Sequence, residues 1–65
     1  MRIGGYTLDD KGYGVQVTEV EAGWSFFLQG EDAEQFHEQW GEYQEQRDNN
    51  FRRFLSDYEY NGLFQ

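Results

Sequence analysis

Apolar and polar positions follow two different periods along this chain. Over residues 13–20, Tyr-Gly-Val-Gln-Val-Thr-Glu-Val, Tyr13, Val15 and Val17 fall on one side and Gln16 and Thr18 on the other. A period of two marks a half-buried strand. Residues 24–29 repeat it, with Trp24, Phe26 and Leu28 on one face. Glu21-Ala22-Gly23 joins the two as a turn, with Gly23 where a positive φ is needed. Residues 2–8 predict a third strand, although Gly4 and Gly5 are poor strand formers. It connects through the hairpin turn Asp9-Asp10-Lys11-Gly12. The expectation for this half is a three-stranded antiparallel meander.

From residue 31 the period becomes helical. Ala33, Phe36, Trp40 and Tyr43 fall at about 60°, 0°, 40° and −20° on a helical wheel, one apolar stripe over residues 31–46. Glu31, Asp32 and Glu34 occupy the first turn, where the helix dipole favours carboxylates. Gly41 is a weak helix former and a possible break. Phe51, Phe54, Leu55 and Tyr58 give a second helix over about 48–60, with Asp48 as N-cap and Asn61-Gly62 as a left-handed stop. Leu63 and Phe64 are expected to fold back on the core. Tyr43 and Tyr58 are expected in that core and Tyr60 outside it. The predicted fold is α+β: one domain over residues 1–65, a meander with two or three short helices packed on one face.

Composition supports a folded domain. With 6 Phe, 5 Tyr and 2 Trp in 65 residues, a small core is within reach even though the chain has no cysteine and hence no disulfide. The longest apolar run, Phe26-Phe27-Leu28, is far short of a membrane span. The N-terminal residues lack the apolar run of a secretory signal, so a cytoplasmic monomer is expected.

Charge changes the picture most. The net charge is −8, and it is unevenly placed. Between Lys11 and Arg47 there is no Lys or Arg, while Glu19, Glu21, Glu31, Asp32, Glu34, Glu38, Glu42 and Glu45 all lie there. The flanks hold 5 acids and 5 bases and are neutral. Glu31, Glu34, Glu38, Glu42 and Glu45 fall at about 220°, 160°, 200°, 240° and 180°, within one arc opposite the apolar stripe. Packing the aromatics inward therefore points five carboxylates outward, about 4.5–6 Å apart along the axis. Such a row destabilises a helix slightly, because like charges at i, i+4 repel. Gln35, Gln39, Gln44 and Gln46 stand beside it where Lys would relieve it. The row is either a plain solvated face or a coarse copy of a nucleic-acid phosphate row, which Glu19 and Glu21 could extend. In the second case the partner is a basic protein surface, with no nucleic acid or membrane bound directly.

Other chemistry is weak. His37-Glu38 begins like a zinc-protease motif, but Gly41 stands where the second histidine belongs. Asp9-Asp10-Lys11-Gly12 lacks the alternating ligands of a calcium loop. No Ser-His-Asp set, catalytic cysteine or phosphate loop can be assembled. Neither a cofactor nor a catalytic residue is expected. Arg47, Arg52 and Arg53 are the only basic cluster, suited to pairing with Asp48, Glu45 or Asp57.

Length, the order of strands before short helices, and the acids Glu31-Asp32, Glu34, Glu38 and Glu42 resemble the DNA-mimic inhibitors of bacteriophages. Within that group the chain is similar to small acidic anti-CRISPR proteins, particularly an inhibitor of type I-C systems. The resemblance implies a partner: the large subunit of the Cascade surveillance complex, whose basic groove reads the short motif beside the target. An antitoxin or immunity-type inhibitor of another basic DNA-binding protein or nuclease, and a small phage structural module, are the alternatives.

Overall fold

The structure, a computed structural model, describes all 65 residues. Four antiparallel strands form one open sheet in chain order: β1 (Arg2–Ile3), β2 (Tyr6–Asp10), β3 (Gly14–Glu19) and β4 (Trp24–Gln29). Two helices follow, α1 (Gly30–Gln46) and α2 (Phe51–Asp57), then a 3-10 helix over Tyr60–Leu63. The α+β class is as the hydrophobic pattern predicts.

The sheet has one strand more than expected. Residues 2–8 do not run straight: the chain reverses at Gly4-Gly5, pairing Arg2 with Thr7 and Ile3 with Tyr6. Gly4 takes φ +59°, a conformation that glycine adopts at no steric cost. Ile3 and Tyr6 have opposite parity, so an apolar pair facing one way needs a two-residue reversal between them.

Register fixes the two faces. Leu8, Val17 and Phe26 are cross-strand neighbours and all are buried, so this face carries the core. Asp9, Gln16 and Phe27 form the neighbouring row on the open face. Tyr13 was expected beside Val15 and Val17, but β3 begins one residue later, after the turn. The residue is 73% exposed, and its ring packs edge-on against Phe27, 5.8 Å between centroids. Phe27 in turn covers Gly14, where an added Cβ would overlap the Leu28 carbonyl oxygen and stand 2.7 Å from the Phe27 ring.

One cluster of 12 buried residues joins the sheet to the helices, and aromatic rings dominate it. Phe36 lies 5.5 Å from Phe54, and Trp40 lies 5.0 Å from both Phe51 and Phe54. These edge-to-face and tilted contacts suit the ring quadrupoles, which is how so short a chain fills a core.

The second helix is shorter than the expected 48–60. Its N-cap is Asn50, not Asp48: Asn50 Oδ1 accepts from the Arg53 N–H at 3.1 Å, while Asp48 Oδ1 accepts from the Asn50 N–H and shapes the preceding turn. The left-handed residue is Glu59 at φ +62°, ahead of Asn61-Gly62 rather than at Gly62. This early reversal exchanges the roles expected of two tyrosines. Tyr58 is 40% exposed, whereas Tyr60 is half-buried, stacks on Phe26 at 5.9 Å and donates its hydroxyl proton to Gln39 Oε1. Phe64 packs on the core, Leu63 stays exposed, and Gln65 exchanges two backbone hydrogen bonds with Ser25 at the β4 edge.

Candidate protein-binding surface

Helix α1 presents the acids. It runs unbroken through Gly41, which is exposed, with open space where a Cβ would sit. Ala33, Phe36, Trp40 and Tyr43 are its buried residues, so the face opposite is fixed by packing. Glu31, Glu34, Glu38, Glu42 and Glu45 are all exposed on that face. From Glu31 to Glu45 the row is about 21 Å long, at about 1.5 Å per residue.

No cation neutralises it. The molecule has one ion pair, Arg53 to Asp57 at 3.9 Å, and it lies on α2. The glutamines serve structure as well as surface. Gln39 accepts from Tyr60, and Gln44 donates to Asn49 Oδ1 at 3.1 Å, tying α1 to the 3-10 helix and to the α1–α2 loop.

The remaining three predicted acids stand elsewhere. Asp32 is about 40° from Phe36 on the wheel, off the row, and its charge helps raise the pKa of Tyr60, behind the larger effect of burial. Glu19 and Glu21 lie at the far end of the sheet, beside the start of α2. They line a cleft of about 400 Å³ with Tyr6, Asn50 and Arg52. They therefore form a second acidic locus with a cation nearby, while Glu34 sits by the β2–β3 turn at the other end of β3.

The geometry of that second locus follows from register. Ile3 pairs with Tyr6, Tyr6 with Glu19, and Glu19 with Trp24, so these four form the last row of the core-facing side. α2 does not fully cover this row. Trp24 is 51% exposed, and it shares an adjoining cavity of about 330 Å³ with Tyr6, Glu19, Arg52, Asn61 and Phe64. Trp24 and Arg52 were not candidates from the sequence. The signal present was parity: Glu19 has the same phase as Val15 and Val17, so a carboxylate occupies a position patterned for the core.

Tyr43 shows how closely α1 and α2 are joined. Its hydroxyl donates to Asp57 Oδ2 at 3.1 Å. Burial first, and that bond second, push the phenol pKa above its ordinary value. Tyr6 is raised as well, by burial and then by Glu19, with Arg52 opposing. No group of three or more His, Cys, Asp or Glu is arranged to hold a metal, and no polar or charged residue is fully buried. No helix is long and apolar enough to cross a membrane.

Comparison with protein-family models, with curated proteins and with solved structures gives no match to this chain.

Proposed function

We propose that the protein is an anti-CRISPR inhibitor of the DNA-mimic kind, which lays the α1 carboxylates in the basic groove of the Cascade large subunit. The observation that carries this reading is the uncompensated row: five exposed glutamates on one face of one continuous helix, with no Lys or Arg paired to any of them. Stability alone does not favour such a row, because each i, i+4 pair of like charges opposes helix formation. A basic groove reverses that sign. Phosphates along one DNA strand are about 3.4 Å apart, and a carboxylate every 4.5–6 Å is a sparser line of the same charge. Bound there, the helix would exclude target DNA by occupancy, with no chemistry required.

The experiment is a plaque assay on bacterial hosts that carry different CRISPR types and express this protein. Restored phage growth on a type I-C host, and not on a host lacking CRISPR-based immunity to that phage, supports the reading. Undiminished immunity in every CRISPR type sinks it.

A further inference from the structure

The Glu19–Trp24 end of the sheet lies away from the α1 row and has a shape of its own. Glu19 projects from the core-facing side of β3 between the Tyr6 and Trp24 positions, and the last row of the sheet forms the floor of two adjoining cavities. Nothing inside the protein satisfies its carboxylate: no side-chain hydrogen bond and no ion pair reaches it. Its cross-strand neighbour Trp24 leaves half its surface in water, although a large aromatic side chain gains most from burial. Directly paired side chains stand about 4.5–5.5 Å apart at Cβ, so indole and carboxylate share one wall.

We propose that this cleft is a socket for an arginine side chain of a protein partner. A guanidinium is planar, stacks on an aromatic face and offers its edge to a carboxylate, and Trp is the best such face. Trp24 supplies the face, Glu19 takes the guanidinium edge, and Glu21, which lines the adjoining cavity, adds longer-range attraction. The cavity of about 330 Å³ lies at the small end for ligand sites and suits one long side chain. Arg52, exposed on α2, borders both cavities. It is a like charge to the incoming cation and limits affinity. The inference needs no particular partner and no contribution from the α1 row, so it stands or falls apart from the proposed function.

The test is a titration of the ¹⁵N-labelled protein with the peptide acetyl-Gly-Arg-Gly-amide, followed by the Trp24 indole N–H and the Glu19 and Tyr6 amides. These signals are expected to shift and saturate together. The isosteric citrulline peptide, without the charge, is expected to leave them unmoved. Glu19→Gln should weaken arginine binding about fivefold, the loss of one modest ion pair, while the stacking on Trp24 remains. Arg52→Gln should tighten it about twofold, and because Arg52 is exposed this variant is readable even if Glu19→Gln disturbs the fold. Glu34→Gln/Glu38→Gln/Glu42→Gln should change nothing at Trp24. An equal response to citrulline, a stronger response to acetyl-Gly-Glu-Gly-amide, or weaker binding in Arg52→Gln overturns the proposal.

Discussion

Glu38 and Trp40 stand two residues apart on α1 and face opposite sides of the molecule. Trp40 is buried, its ring 5.0 Å from those of Phe51 and Phe54, while Glu38 is exposed with no cation beside it. The core therefore sets the direction of the acidic row. Repacking the aromatics would turn the carboxylates, whereas changing the carboxylates should leave the aromatics in place.

That asymmetry gives the first expectation. Glu34→Gln/Glu38→Gln/Glu42→Gln should keep the fold and gain stability. The substitutions relieve several like-charge contacts at i, i+3 and i, i+4, each costing about 0.2–0.5 kcal/mol, so a gain of roughly 1 kcal/mol is expected. Thermal melting followed by circular dichroism measures it. A melting temperature well below wild type would show that the acids help to hold the fold.

Salt should act in the same direction on the wild type. Raising ionic strength to about 0.5 M shortens the Debye length to a few ångströms and screens the row. The wild-type melting temperature should rise, and that of the triple variant should rise less. Equal shifts in the two proteins would mean that the repulsion lies elsewhere.

Alkali should destabilise the domain. Tyr6, Tyr43 and Tyr60 all have pKa values raised above the ordinary 10.0, in each case mainly by burial. The folded state thus favours the neutral phenol more than the unfolded state does. Their contribution to stability is complete below pH 10 and is lost as pH rises through the folded values. The melting temperature should fall steeply above about pH 10 as the unfolded phenols ionise. A flat profile to about pH 12 would contradict the assignment of these rings to the core.

Two glycines should respond oppositely to alanine. Gly41→Ala meets open space in the exposed middle of α1 and should stabilise by about 0.5–1 kcal/mol. Gly14→Ala would drive a methyl into the Leu28 carbonyl and the Phe27 ring, and should destabilise by about 1–3 kcal/mol. Urea midpoints of the two variants read both signs in one experiment. Destabilisation by Gly41→Ala would mean that α1 is not continuous there.

The helical half was the more legible part of the sequence. Phe36, Trp40 and Tyr43 announce the buried stripe of α1 unaided, because every third or fourth residue is aromatic and nothing between them is apolar. The end of α2 was not legible. Tyr58 continues the i, i+3, i+4, i+7 pattern, yet the chain leaves the helix at Asp57, and Glu59 takes a left-handed conformation that its residue type does not signal. In the first strands, Ile3 and Tyr6 already carry the parity change that a reversal requires. The Gly4-Gly5 pair is the physical cue to its position. The α1 acids needed only helical geometry to be placed together. Glu19, Trp24 and Arg52 needed tertiary structure, since only the register of three strands and the docking of α2 bring them into one cleft.

The proposed inhibitor competes with DNA for a basic groove through its α1 carboxylates. This competition is tested most directly by measuring how purified Cascade of type I-C binds its target duplex with increasing amounts of this protein, at low and high salt. Wild type should abolish DNA binding at low salt and lose potency steeply as salt rises, while folded Glu34→Gln/Glu38→Gln/Glu42→Gln should leave DNA binding intact. Inhibition by the folded triple variant equal to that of wild type would contradict the claim.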